Sequence, residues 1–287
     1  MKKIAVTICG RKRFLEVQLP YMLAMAQYFD EHQLWVNTRN SKDLEYIHSI
    51  QRKYPRYFRL IYQTKNYDYD QHGYHKPEVV GLQINQFYQG VESDAVYVRF
   101  DDDICYVEIE KIPSFLEFRI NHPEYLIIYP IIVNNSMIHR IFDNSHPFRN
   151  GEYDEERDWR PYGGQIGKHV HEVFLNHISE IAVLKKKKPV VGEYANVNCI
   201  SWLGSKFNRL HVGQTESGEI PEEPWMVEWA QNNQYVNCIY PDMLVCHYAF
   251  ANQINPLHEF YGPGLDLDQT DILEKYRKIS WNLLRTT

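Results

Sequence analysis

The stretch from Val96 to Ile104, VYVRFDDDI, sets an apolar run of strand-forming residues against three consecutive acids and then turns apolar again. Val, Tyr and Phe fit the pleated, half-buried surface of a strand. Adjacent like charges repel, and desolvating any of them without a partner is costly. Three carboxylates directly behind a buried strand therefore call for something positive nearby. In a parallel sheet, ligands gather at the carboxyl ends of the strands. If side-chain alternation runs through the acids, Asp101 and Asp103 converge while Asp102 points away. Two hard carboxylate oxygens there suit Mg2+ or Mn2+, with phosphate oxygens and water completing the shell. The plainer reading is an acid-rich turn that caps a helix.

Upstream, strands and helices alternate. Ile4 to Cys9 is an apolar, β-branched run that ends in Gly10 and the basic cluster Arg11-Lys12-Arg13. Apolar residues then recur at helical spacing from Phe14 to Phe29, interrupted by Pro20. QLWVNT (Gln33 to Thr38) reads as a second strand, and Ser41 as the cap of a helix with Leu44, Ile47, His48 and Ile50 on one face. RLIYQ reads as a third strand, KPEVVGLQINQFYQ as a helix opened by Pro77, and AVYVRF as the fourth strand. This alternation predicts an α/β fold, a mostly parallel sheet flanked by helices.

Beyond the acids, PSFLEFRINHPEYLIIYPIIV holds a helix and an apolar strand. Residues 134 to 162 show no period, as in a functional loop. GQIGKHVHEVFLNHI reads as a helix whose His169, His171 and His177 sit on a solvated surface, because i, i+2 residues do not share a helix face. Asp271 and Glu274 take capping-box spacing before a C-terminal amphipathic helix. There is no repeat or flexible linker. A single domain over residues 1–287 is expected, with a nucleotide-binding half (1–103), an acceptor-binding half (104–250) and a C-terminal extension with its helix (251–287).

The bulk numbers narrow the function. A net charge of −6 disfavours broad attraction to nucleic acid or anionic membrane. No apolar run approaches the roughly 18 residues of a membrane span. MKKIAVTICGRKRF reads as a first strand and not a signal peptide. Five cysteines without a C-x-x-C pair point to reduced thiols and a cytoplasmic protein. The 22 tyrosines offer flat faces suited to sugar rings or bases as well as to packing. Neither a G-x-G-x-x-G after a strand nor a P-loop motif is present.

At Asp101-Asp102-Asp103 the chain resembles the GT-A glycosyltransferases, whose donor-site metal is held by an Asp-x-Asp after the fourth strand. PDMLVCHYAF places His247 where many of these enzymes supply a late histidine to the metal or diphosphate. EIPEEPWMVEW is similar to the acidic pair followed by Trp of the inverting, family-two type, in which an acid deprotonates the acceptor hydroxyl. Here both acids are Glu, so either Glu222 or Glu223 takes that role; a dipole-complementing helix N-terminus reads equally well. The resemblance implies a GT-A-like, Rossmann-type fold and Mn2+ or Mg2+ held by Asp101, Asp103 and His247. It also implies a nucleotide-sugar donor, most simply a UDP-sugar. Donor contacts are expected from Thr7, Gly10 and Arg11 after the first strand, from Lys76, from Arg99, which lies on the strand face of Asp101 and can pair with it in support of the metal site, and from Asp101 and Asp102 themselves. Asn134 and Asn135 are placed to touch donor sugar or acceptor, or to form a turn. The acceptor is open among a glycan, a small molecule and, less favoured by the charge, modified DNA. Two rivals stand beside this reading. One is a nucleotidyltransferase acting on a sugar phosphate, which brings a Gly-rich, basic first loop. The other is a non-catalytic sugar- or nucleotide-binding module.

Overall fold

The first strand, β1 (Lys2–Cys9), is apolar along both faces because it runs through the middle of a sheet covered on both sides. It lies parallel to β2 (Glu31–Val36) on one side and to β4 (Ala95–Asp101) on the other, and β3 (Phe58–Tyr62) continues the sheet beyond β2. Helix α1 (Lys12–Ala24) and helix α2 (Ser41–Lys53) make the crossovers. Asn40 caps α2 by accepting hydrogen bonds from the main-chain N–H groups of Lys42 and Asp43. The computed structural model describes residues 1–65, 67–73, 79, 81–135, 148, 163–184, 188–192, 197–208, 210–254 and 265–286.

The second half adds β5 (Ile104–Val107), α3 (Ile112–Asn121), β6 (Tyr125–Val133), α4 (Gly163–Leu184), β7 (Val190–Gly192), β8 (Cys199–Leu203) and α5 (Gly204–Phe207). A two-strand hairpin of β9 (Gln214–Thr215) and β10 (Gly218–Glu219) follows. The chain then forms α6 (Glu222–Asn232), β11 (Val236–His247), α7 (Ala251–Ile254) and α8 (Ile272–Thr286). The main sheet runs β3-β2-β1-β4-β8-β6-β11-β5, with β7 also paired to β11. Strands β1 to β4, β6 and β11 share one direction, while β8, β5 and β7 run against them. The expected α/β fold with a mostly parallel sheet is the observed one.

Three expectations need correction. The stretch opened by Pro77 forms a tight 3-10 run over Leu82–Gly90, preceded by Gly81 at φ 92, so its described part is not an α-helix. The second strand starts two residues earlier than the pattern predicts, at Glu31. His171 is fully buried, because α8 covers the face of α4 that the spacing assigned to solvent. The tyrosines also serve the core: Tyr97 stacks on Trp202 with ring centroids 5.0 Å apart and planes 2° from parallel, and Tyr88, Tyr129, Tyr248 and Tyr276 are buried. The loop over 134–162 lies largely outside the described residues.

The C-terminal helix packs on α1, as its amphipathic pattern predicts. The Trp281 indole donates to the Glu16 carbonyl at 3.2 Å, Arg277 pairs with Glu16 at 3.1 Å, and Arg13 pairs with Asp268. Elsewhere backbones approach so closely that only glycine fits. A Cβ on Gly204 would lie 1.8 Å from the Glu92 carbonyl oxygen, which belongs to main chain and cannot swing aside. We expect Gly204→Ala to lower the urea unfolding free energy by about 2–4 kcal/mol without changing the slope.

Candidate active site

The sheet brings its chemistry to one edge. Strands β1, β4 and β11 point the same way, so Gly10, Asp101 and His247 emerge at their carboxyl ends, where β8 begins at Cys199 opposite Phe100. Helix α6 carries Glu222 and Glu223 in its first turn to the same place. Residues separated by more than a hundred positions thus share one cleft.

Each of the three acids has its own positive or hydrogen-bonding partner. Asp101 accepts from Arg99 (Nη2 at 2.8 Å and Nε at 3.1 Å) and from the Asn198 amide at 3.1 Å. Asp102 accepts the main-chain N–H groups of Gly10 (2.9 Å) and Arg11 (2.8 Å), and also the Arg11 guanidinium. Asp103 accepts from Arg11 Nη2 at 2.8 Å and lies 3.4 Å from His247 Nε2. This corrects the expected alternation. The strand ends at Asp101, and Asp102 and Asp103 form a turn into β5, so Asp102 and Asp103 converge on Arg11 while Asp101 faces Arg99.

Arg99 is the hinge of the electrostatics. It is 2% exposed, lies in β4, and clamps both Glu222 oxygens at 2.7 Å while its other nitrogens hold Asp101; Tyr88 adds its hydroxyl at 2.9 Å. Glu222 is therefore a structural partner of Arg99. Glu223, one residue on, makes no hydrogen bond among the described residues. Burial and the neighbouring charges of Glu222 and Asp101 push its carboxyl up to about 7, against the pull of Arg99 and His247. Burial opposes charging His247, but Asp103 and Asp101 outweigh it and raise the imidazole above its ordinary value. For Asp103, burial is likewise outweighed, by Arg11 and His247, so this carboxylate stays ionised.

The donor set fits a hard divalent cation in part. Asp103 Oδ1 and His247 Nδ1 are buried polar atoms with no partner among the described residues. Four carboxylates (Asp101, Asp102, Asp103, Glu222) face two guanidiniums and the His247 imidazole, so the carboxylates outnumber the guanidiniums there. Yet both Asp101 oxygens are already engaged. Among the described residues, Asp101, Asp103 and His247 do not bring three ligand atoms within 4.8 Å of one another. A cation here would take one or two protein ligands and draw the rest from substrate phosphate and water.

Other expected contacts are placed as follows. Thr7 is fully buried in β1, with its hydroxyl 2.8 Å from His32 Nε2, and does not reach the cleft. Gly10 and Arg11 line it, beside a basic hollow shared with Lys12, Arg13 and Lys42. Lys76 lies outside the described residues. Asn134 is tied to Gln253 through two amide hydrogen bonds and to the Tyr248 carbonyl, which makes it a strut. Asn198, Tyr88 and Gln18, whose amide donates to the Asp101 carbonyl at 2.6 Å, join the site without any motif to mark them.

The Arg99 clamp has a measurable consequence. Replacing it by Met leaves Glu222 and Asp101 buried without their counter-charge, and we expect a loss of about 3–5 kcal/mol in chemical unfolding. Restoring part of that loss by combining Arg99→Met with Glu222→Leu would identify the pair as the source.

No protein-family model matches the chain, and no curated protein sequence does. Among solved structures, the chain is similar to a CMP-2-keto-3-deoxy-manno-octonic acid synthetase complexed with CTP, at 11% identity and a TM-score of 0.46, covering 98% of this chain and 99% of that one. It is also similar to a 4-diphosphocytidyl-2C-methyl-D-erythritol synthase (14%, TM-score 0.42, covering 99% and 100%). A third is a protein described as a glucose-1-phosphate thymidylyltransferase from Bacillus anthracis (8%, TM-score 0.45, covering 97% and 95%). These likenesses concern the outline of the chain and carry no argument about its reaction.

Proposed function

We propose that the cleft is the active site of a transferase acting on a nucleotide-activated sugar, and that the group it moves is the sugar. The observation that carries this reading is Glu223: a carboxyl with no hydrogen-bond partner among the described residues, poised near 7, beside Asp101 and His247. A general base works best when its pKa lies near the operating pH. An acceptor hydroxyl needs such a base, because it must lose its proton as it attacks the anomeric carbon. A sugar phosphate attacking an α-phosphate is already an anion and needs none. In this reading the acceptor oxygen forms a bond to the anomeric carbon as the bond from that carbon to the diphosphate oxygen breaks. The proton passes to Glu223, and in-line attack inverts the configuration.

Glu222 acts through Arg99, holding the strand end in place. Arg11, in the loop after β1, is placed to face a diphosphate, and its exchange between Asp103 and phosphate would open the carboxylate. Asp103 and His247 would hold Mn2+ or Mg2+ with their unpartnered atoms, and the cation would offset charge on the leaving diphosphate. One observation favours nucleotidyl transfer instead: the basic first loop sits directly against the carboxylates, as such enzymes require.

The reactions differ in product. Incubated with a panel of nucleotide sugars and Mn2+, the protein should release nucleoside diphosphate from one donor, and Asp103→Asn should abolish that release. Pyrophosphate formed from a nucleoside triphosphate and a sugar phosphate would identify the nucleotidyltransferase. A ligand-induced rise in melting temperature that survives Asp103→Asn, without turnover, would identify a binding module.

Glu223 gives a second, independent check. Transfer should rise with pH through an apparent pKa near 7, because the base must be ionised, and Glu223→Gln should cut it about 10²–10⁴-fold while sparing donor binding. Its folded pKa of about 7 lies above the ordinary 4.5, so the wild type loses stability as pH rises from 4.5 through 7. Glu223→Gln should therefore unfold at higher denaturant than wild type at pH 8, by roughly 1–3 kcal/mol.

A further inference from the structure

Next to the cleft, on residues that adjoin Asp103 and His247 in sequence, lies a second cluster that the transfer reaction does not use. Cys105 of β5, Cys246 of β11 and His171 of α4 each place one donor atom within 4.8 Å of the others, and all three are buried. Tyr276 of α8 completes the group. Its hydroxyl lies 3.2 Å from Cys246 Sγ and 2.9 Å from His171 Nδ1. We propose that Cys105, Cys246 and His171, with the Tyr276 hydroxyl beside them, form a structural site for a thiophilic divalent cation, of which zinc is the best chemical match.

The imidazole is already set for ligation. His171 Nε2 lies 2.6 Å from the Tyr248 carbonyl oxygen, which can only accept, so Nε2 carries the proton and the Nδ1 lone pair accepts from the Tyr276 hydroxyl, a bond that a cation at this site would replace. A metal-bound histidine usually has its second nitrogen fixed in this way. Nδ1 is 3.6 Å from Cys246 Sγ. That is close to the ~3.5 Å edge expected between nitrogen and sulfur on a tetrahedral zinc with bonds of about 2.0 and 2.3 Å. The charge count suits the surroundings as well. On loading, Cys105 and Cys246 each release a proton to solvent and bind as thiolates and His171 binds neutral, while the Tyr276 hydroxyl stays protonated beside them. Two thiolates cancel the charge of the cation, so the complex enters an apolar interior without net charge.

The three ligands and Tyr276 come from elements far apart in sequence, and a metal there would brace the C-terminal helix against the sheet next to Asp103 and His247. This inference does not depend on the reaction proposed above.

Cobalt reports such a site directly. Full-length protein produced in cobalt-supplemented, zinc-depleted medium should show a thiolate-to-cobalt charge-transfer band and the intense visible bands of a tetrahedral ion. Cys246→Ser and Cys105→Ser should each remove the charge-transfer band or strongly reduce it. Asp103→Asn should leave it intact, which separates this site from the cleft. X-ray absorption on wild-type protein needs no variant: sulfur scatterers at about 2.3 Å from the metal are expected. Folded protein with no charge-transfer band, a band that survives Cys246→Ser, or a Cys105–Cys246 disulfide in metal-free protein would each overturn the proposal.

Discussion

The desolvated carboxylates behind β4 constrain the structure more than any other feature. Left unpaired in a buried sheet edge, they would make folding unfavourable. Each is answered from a different part of the chain: Arg99 and Asn198 for Asp101, the first loop for Asp102, Arg11 and His247 for Asp103. The pairings require the carboxyl ends of β1 and β4 to meet that of β11, which the pairing of β5 with β11 brings to the turn after β4. They also require α6 to bring Glu222 against Arg99, since an arginine buried in a strand needs more than one carboxylate to balance its desolvation. Fold and site are therefore stabilised by the same contacts.

Not every charge is fully satisfied, and this is where stability gives way to chemistry. Glu222 is clamped, while its neighbour Glu223 is left half-desolvated near two like charges, which raises its proton affinity. Asp103 and His247 face each other yet each leaves one buried atom without a partner among the described residues. A structure selected for stability alone would close these gaps. Similar unpartnered atoms occur elsewhere among the described residues; what marks this cleft is their coincidence with a run of acids and with the raised carboxyl of Glu223.

Much of this was legible from residue order. The first and fourth strands announce themselves because each is a near-continuous apolar run, and the acids stand out because the one local cation, Arg99, cannot neutralise all three. The antiparallel strands were harder. CISWL and VVG are too short for periodicity to separate from loop, and their pairing with β4 and β11 is a long-range choice. His171 was misread for a related reason: its burial is decided by α8, a hundred residues away. The Arg99–Asp101 charge pair follows from strand alternation and is observed, whereas the role of Arg11 as counter-ion to Asp102 and Asp103 depends on the turn at Asp102. Asn198 and Tyr88 carry no signal at all outside the fold.

The account stands or falls on whether the carboxylate edge binds a cation together with a nucleoside diphosphate. Electron paramagnetic resonance of Mn2+ titrated into the protein, with and without UDP and its GDP and CDP counterparts, measures this without assuming any acceptor. The account predicts weak Mn2+ binding alone, at least tenfold tighter binding with one of these diphosphates, and loss of that enhancement in Asp103→Asn. Mn2+ binding that no nucleotide improves, or that Asp103→Asn leaves unchanged, would contradict it.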